Sequence, residues 1–252
     1  MTDELDSTFR GTRFTNADFT GATFLQCDMQ QVRIVGSMIT DLHVSGFAGE
    51  IENVVINDVD VTAFVEAELD RRHPERVQLR KVRSADDYRA MWREIERLWS
   101  DTLARADRLP EAARHERVAG EWSLVETLRH LVMATDIWAG RMILGQPMPY
   151  HRLGLPPTDY SPTEAAGLGV DIAARPSFAE VMDVRADRIA LVRDMLADVT
   201  DTELEAMRTA EPAPGWGEQS RTVGRCLRVI LNEECEHRRY VLRDLTLLEA
   251  EI

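Results

Sequence analysis

A five-residue period between Ser7 and Phe47 constrains the fold of this chain more than any other feature. Each unit carries one large apolar residue at the same position: Phe9, Phe14, Phe19, Phe24, Met29, Ile34, Ile39 and Val44. A period of five fits neither an α-helix, with about 3.6 residues per turn, nor a strand, with a period of 2. A chain that turns a corner every five residues does produce it, with apolar side chains inside a narrow coil. The segment is therefore predicted to form a coil of short repeats.

The repeat units resemble the pentapeptide-repeat family, whose motif places a small residue, then Asp or Asn, then Leu or Phe, then two polar residues. The unit ADFTG at 17–21 matches this motif best, and the match decays after Ile34, where the central residues become aliphatic. The resemblance implies a right-handed quadrilateral β-helix of about two coils. Residues 51–61, IENVVINDVDV, are interpreted as irregular strands that finish or cap the coil.

A change of pattern near residue 63 marks a boundary. A short helix is predicted to end near Arg72, and His73-Pro74 and a charged linker follow it. The fold class is therefore multi-domain α and β. Its predicted parts are a short pentapeptide-repeat β-helix over 1–62, a helix and linker over 63–80, and a helical bundle over 81–252.

Four long amphipathic segments follow the linker. They span 84–109, 123–145, 177–199 and a stretch beginning near Thr222. The second segment opens with Ser123 and Glu126, the spacing of a capping box, and the third opens at Ser177 after a proline. Four such helices in one region predict a four-helix bundle.

Composition narrows the expected partners and location. A net charge of −14 and a pI of about 4.9 argue against a surface for nucleic-acid phosphates. No run of 18 apolar residues is present, and the N-terminus lacks the pattern of a signal segment, so a cytoplasmic protein without a membrane partner is expected. The 30 basic residues include one lysine, Lys81, a bias that indicates a GC-rich, actinobacterial-like coding genome. Three scattered cysteines without CxxC spacing predict reduced, buried thiols.

The segment NEECEHRR at 232–239 raises a chemical question within the last helix. Glu233 and His237 are four residues apart, so they lie one above the other on the apolar stripe of that helix. His130 lies on the apolar face of the second bundle helix. Two imidazoles and one carboxylate form the ligand set of a divalent metal site with open positions. A salt bridge between Glu233 and His237 is the alternative, and Glu234 and Glu236 compete as the inward carboxylate.

Two stretches also resemble the DinB-like four-helix superfamily: WSLVETLRHL at 122–131 and NEECEHRRYVLRDL at 232–245. The closer resemblance is to the branch that contains mycothiol-dependent maleylpyruvate isomerase. There the first residue of the last ligand pair is Glu instead of His, as it is here. The resemblance covers roughly residues 80 to 250 and implies metal ligation by His130, Glu233 and His237. It further implies zinc, with nickel left open, and a thiol such as mycothiol as co-substrate.

These observations support more than one function. The first is a metal-dependent thiol transferase or isomerase that acts on a small electrophilic molecule. The second is a non-catalytic metal- or ligand-binding regulatory protein whose coil contacts other proteins, and in the third the coil caps the bundle or forms a homodimer. Arg238 and Arg239 are interpreted as pairing with nearby acids rather than binding an anion. The loop at 145–160 is either a wall of the pocket, contributing Tyr150 or His151, or a plain connection.

Overall fold

The computed structural model of the protein describes residues 9–25, 27–46, 51–157 and 160–250. The chain divides into two compact units, Met1–Ile51 and Glu52–Ile252. All the helices and strands of the described residues lie in the second unit. The first unit holds the five-residue repeats.

The repeat segment turns at regular intervals and leaves its apolar row exposed. The backbone N–H groups of Thr12 and Ala22 each donate to the carbonyl three residues earlier, on Phe9 and Phe19. Consecutive phenylalanine rings from Phe9 to Phe24 lie 5.5–6.1 Å apart between centroids. Residues 9–25 and 27–46 contain no strand, so the predicted β-helix is not seen in them. That prediction also covered residues 1–8, 26 and 47–50, which lie outside the described residues.

A small hairpin and two helices open the second unit. Strands β1 (Val55–Ile56) and β2 (Val59–Asp60) pair antiparallel. Asn57 and Asp58 join them with φ angles of +48° and +64°, as a type I′ turn requires. Helix α1 (Thr62–Arg72) ends at the predicted residue, and α2 (Glu75–Lys81) follows Pro74.

Four long helices form the bundle, as the sequence predicts. They are α3 (Ala85–Ala106), α5 (Leu124–Thr135), α7 (Phe178–Asp198) and α9 (Val223–Ala250), and the short α4 (Glu111–Arg114) lies between the first two. The predicted capping box is present, because Ser123 Oγ accepts from the Glu126 N–H while the Glu126 carboxylate accepts from the Ser123 N–H. Ser177 caps α7 in the same way.

Several shorter elements join the long helices. Helix α5 continues into a π-helical segment, Asp136–Ile143, so the second bundle helix ends close to where the sequence predicts. Helices α6 (Pro162–Gly167) and α8 (Asp201–Leu204) flank α7. Strands β3 (Met207–Ala210) and β4 (Gln219–Thr222) form an antiparallel hairpin directly before α9, which the helical periodicity did not predict.

The core lies between the four long helices, and α5 is its central element. All twelve residues of α5 are buried, including the polar His130 and Arg129. A helix surrounded on all sides must satisfy each polar side chain with protein groups or a bound ligand, because water is excluded. Within the described residues, no helix combines the length and apolar character needed to cross a membrane.

Candidate metal centre

Helices α5 and α9 bring the three predicted residues together. His130 projects from α5, while Glu233 and His237 project from successive turns of α9. Glu233 Oε2 lies 3.3 Å from His130 Nε2 and 3.0 Å from His237 Nε2. One ligand atom from each residue lies within 4.8 Å of the others. His130 and Glu233 are 103 positions apart in sequence, so packing of α5 against α9 creates the cluster.

The backbone of the loop after the π-helical segment determines which nitrogen of His130 carries the proton. His130 Nδ1 lies 3.1 Å from the carbonyl oxygen of Leu155. A carbonyl only accepts hydrogen bonds, so the proton of the neutral ring resides on Nδ1. The lone pair of Nε2 is therefore free and points toward Glu233. This is the tautomer that a metal-ligating histidine adopts when its other nitrogen donates to a carbonyl.

The charge states of the cluster leave two lone pairs facing each other. Burial lowers the pKa of His130, although the Glu233 carboxylate opposes that effect. Burial alone would raise the pKa of Glu233, but the hydrogen bonds and positive charge that His130 and His237 provide when protonated outweigh it and hold that pKa well below its usual range. A neutral His130 and an ionised Glu233 have no proton between Nε2 and Oε2. A cation between these atoms would remove the repulsion between them.

The separations fit a small divalent ion. The separations of 3.0 Å and 3.3 Å are short enough for one ion with bonds of about 2.1 Å to contact both atoms of each pair. His130, Glu233 and His237 would therefore be the residues to hold such an ion. Two nitrogens and one carboxylate oxygen are ligands that suit zinc or nickel.

The structure also decides which glutamate of NEECEHRR faces the cluster. Glu234 points into the bundle, where both of its oxygens accept from Arg185 of α7 at 2.8 and 2.9 Å. Glu236 accepts from Arg76 of α2 at 2.8 Å. Both competitors are thereby engaged by arginines, and Glu233 is the carboxylate at the histidines.

Two aromatic side chains that the sequence analysis did not single out line the cluster. The Trp122 ring lies 4.7 Å from the His130 ring and 6.0 Å from the His237 ring, stacked on the latter. The Tyr240 ring meets His237 edge-on at 6.2 Å. Tyr240 follows His237 by three residues on α9, and that spacing could have identified it. For Trp122 no spacing rule applies, because it precedes the cap of α5.

The arginines after the last histidine pair with acids, as predicted. Arg238 is buried and donates to Glu75 at 2.9 Å, as well as to Thr102 and a backbone carbonyl of α3. Arg239 pairs with Glu236 at 2.9 Å and stacks over Tyr240. Both guanidinium groups therefore stabilise α9.

The loop at 145–157 does reach the cluster, but through its backbone. Tyr150 donates its hydroxyl hydrogen to the Pro212 carbonyl, and His151 Nδ1 accepts from the Leu153 N–H. It is the Leu155 carbonyl that contacts His130. A loop carbonyl leaves no trace in a residue pattern, so the sequence could suggest only that this loop forms a wall.

The two cysteines of α9 are unsuited to serve as nucleophiles. Cys226 and Cys235 are both free and buried, as predicted, whereas Cys27 of the repeat segment is exposed and that prediction was wrong. Burial raises the pKa of the Cys226 thiol to about 11, and burial with neighbouring glutamates raises that of Cys235 as well. Neither would form a thiolate near neutral pH. These two cysteines therefore do not supply a nucleophilic thiol to the cluster.

Two known protein families have sequence models that match parts of this chain. The family model of the DinB superfamily matches residues 94–241, a range that includes all three clustered residues. The chain belongs to the DinB superfamily. This DinB-superfamily chain also matches, over residues 6–34, the family model described as pentapeptide repeats (8 copies). Both predicted resemblances are confirmed at that level.

The DinB-superfamily chain was also compared with individual proteins and with solved structures. No curated protein matches it. Among solved structures, the crystal structure of a protein from Streptococcus pneumoniae is similar at 15% identity with a TM-score of 0.44. That match covers 71% of this chain and 98% of the other.

Proposed function

We propose that the protein is a metal-dependent enzyme that holds a divalent ion, zinc in the first place and nickel as the alternative, through His130, Glu233 and His237. The observation that carries the proposal is the 3.3 Å separation of His130 Nε2 and Glu233 Oε2, in a cluster where His130 is buried and Glu233 and His237 are partly buried. Holding two acceptors against each other is costly unless a proton or a metal cation lies between them, and the lowered pKa of His130 disfavours the proton. DinB-superfamily membership supports the same interpretation.

The side chains of the metal site have different roles in this proposal. His130 and His237 offer neutral nitrogens, and Glu233 offers one negative charge, so a bound divalent ion keeps a net positive charge. Trp122 and Tyr240 lie against the histidine rings and form the apolar edge of the site. When bound, the ion supplies Lewis acidity, which lowers the pKa of a coordinated thiol or water.

The reaction class proposed is transfer of a small thiol to an electrophilic carbon, or an isomerisation that proceeds through such an adduct. Both cysteines of α9 are buried with raised pKa values, so the thiol comes from solution. Mycothiol is the proposed thiol, because the resemblance to the mycothiol-dependent branch rests on a glutamate at the position of Glu233. The S–H bond breaks and its proton goes to solvent as sulfur bonds to the electrophilic carbon; the π bond at that carbon breaks, and its electron pair takes up a proton from solvent.

Metal content is the first test. Protein prepared without chelator is analysed by elemental mass spectrometry, and about one equivalent of zinc or nickel is expected. His130→Ala and Glu233→Ala should both lose the ion, whereas His115→Ala, which alters a partly exposed histidine paired with Glu111, should retain it. A parent protein without metal after reconstitution with zinc would overturn the proposal.

The thiol step needs a separate test. Metal-loaded protein is mixed with mycothiol and small electrophiles, and thiol consumption is compared with the Glu233→Ala variant. Consumption that depends on Glu233 supports the transferase or isomerase. Full metal occupancy without thiol binding or consumption would reject the thiol chemistry and leave the metal site standing.

The exposed apolar row of the repeat segment favours a second candidate. Phe14, Phe19 and Phe24 remain about half exposed or more, and such a row of exposed aromatic side chains is unusual on a protein surface. In this candidate the segment forms the right-handed β-helix and contacts another protein, while the bundle binds a metal or ligand without catalysis. Circular dichroism of the full chain against a Phe14→Ser, Phe19→Ser variant tests it: loss of a β-type signal supports the coil, and identical spectra argue against it.

A further inference from the structure

Arg129 is a buried cation whose hydrogen-bond partners are all backbone oxygens. It directly precedes His130 on α5 and is only 1% exposed. Its guanidinium donates to four carbonyls: from Nε to Leu153 at 2.9 Å, from Nη1 to Ala174 at 2.9 Å, and from Nη2 to Gly154 at 3.3 Å and Asp171 at 2.6 Å. Four of its five N–H groups are thereby used.

These carbonyls belong to two segments that Arg129 ties together. One is the stretch 151–157 that follows the π-helical segment, and the other is 170–174, which precedes α7. The two segments are also joined directly, by the Asp171 N–H to the Arg152 carbonyl at 2.9 Å and by an ion pair between the same two residues at 2.7 Å. Hydrogen bonds from a charged donor are stronger than those between neutral groups. The guanidinium is therefore the centre of this crossing.

The tied segment is the one that contacts the metal-site histidine. Leu155 donates its N–H to the Arg129 carbonyl at 3.1 Å, and its own carbonyl lies 3.1 Å from His130 Nδ1. The segment packs against α5 at Gly154, where a Cβ would be in ordinary contact with Met133 at 3.5 Å but would crowd the His151 carbonyl of the same loop at 3.1 Å. The position of the Leu155 carbonyl thus depends on contacts made by Arg129.

We propose that Arg129 is a positioning residue that keeps the Leu155 carbonyl on His130 Nδ1 and so holds His130 in the tautomer with a free Nε2. This inference rests on the proposed metal site and adds to it the group that prepares one ligand. The role requires the planar fork of arginine. Lysine has three donors on a single nitrogen and cannot reach carbonyls spread over two segments. Arg129→Lys keeps the charge and loses the geometry.

The test compares the parent, Arg129→Lys and a matched control, all as full chains. Arg89→Lys is the control, because Arg89 of α3 also donates to two backbone carbonyls, at 2.9 and 3.0 Å. These carbonyls belong to Leu196 and Val199 at the end of α7, and neither contacts His130. Long-range proton–nitrogen NMR spectra of metal-free, 15N-labelled protein report which nitrogen of each of the six histidines is protonated. A His130→Gln variant assigns the His130 signals.

The parent is expected to show His130 protonated on Nδ1 alone, and Arg129→Lys to show a measurable population protonated on Nε2. Zinc affinity, measured by competition with a chromogenic chelator, should fall about 10- to 100-fold in Arg129→Lys. Arg89→Lys should leave both readouts as in the parent. Thermal unfolding monitors folding in each variant.

Two results would overturn the role. One is a folded Arg129→Lys with the parental tautomer and zinc affinity, which would reduce Arg129 to a structural contact. The other is a parent whose His130 carries its proton on Nε2. A parent with the expected tautomer that binds no zinc would instead reject the metal proposal, and the tautomer comparison would still decide the role of Arg129.

Discussion

The repeat segment and the helical unit both place apolar residues at a fixed period, yet only the helical unit buries them. Phe19 in the repeat segment is 49% exposed, whereas Leu128 of α5 is 0% exposed. A helix presents its apolar stripe to the stripes of neighbouring helices, and each stripe covers the others. In the repeat segment each ring contacts chiefly the ring five residues away. Periodicity therefore predicts local conformation, while burial requires a second surface.

The same difference separates where chemistry can occur. Charged groups inside the helical unit, such as Glu234 and Arg185, are held by partners out of contact with water. In the repeat segment the ion pair of Arg10 and Asp28 is exposed and 3.9 Å long. Electrostatic interactions are stronger where water is excluded, so a buried cluster can bind an ion that a surface cluster would not hold.

Removing a buried charge should have the largest effect on stability. Glu234→Ala leaves the Arg185 guanidinium buried and unpaired, so the free energy of unfolding should fall by about 3–5 kcal/mol. Urea unfolding followed by helical circular dichroism measures it. Glu249→Ala is the control on the same helix, since its pair with Arg105 is partly exposed and should contribute about 1 kcal/mol or less. Equal losses in the two variants would contradict the distinction between buried and surface pairs.

Matched apolar truncations test the comparison between the two units directly. Leu128→Ala should lower the free energy of unfolding by about 2–5 kcal/mol, because it opens a cavity in the core. Phe19→Ala should change it by no more than about 0.5 kcal/mol, since the ring is exposed. Both are measured by urea unfolding of metal-free protein. A large loss for Phe19→Ala would show that the repeat segment contributes to the stability of the helices.

The smallest effect expected is a pH dependence from the metal site. Burial lowers the pKa of His130 below its unfolded value of 6.5. Below about pH 6.5 the unfolded chain therefore binds a proton at His130 that the folded chain does not bind. The contribution of His130 to the free energy of unfolding is present in full above about pH 6.5 and is lost as the pH falls below it. Unfolding of metal-free protein between about pH 7 and pH 5 should show this decline. His130→Gln should flatten it, and an unchanged slope would reject a neutral, buried His130.

Local signals in the sequence predict the helical part of the fold well. Ser123 and Glu126 predict the start of α5, because a capping box depends only on residues three apart. The four-residue spacing of Glu233 and His237 predicts a shared face for the same kind of reason. The β3–β4 hairpin was missed, since its strands are only four residues long and lie next to a strong helical pattern.

The sequence by itself determined the two periodic patterns, the caps and the types of ligand available at His130, Glu233 and His237. All of these depend on residues within a few positions of one another or on side-chain chemistry. Only the tertiary structure decided that Glu233 rather than Glu234 faces the histidines, because Arg185 of α7 engages Glu234 from 49 positions away. It also decided the tautomer of His130, through a carbonyl 25 positions along the chain. Such contacts depend on how helices and loops pack, and no local pattern encodes them.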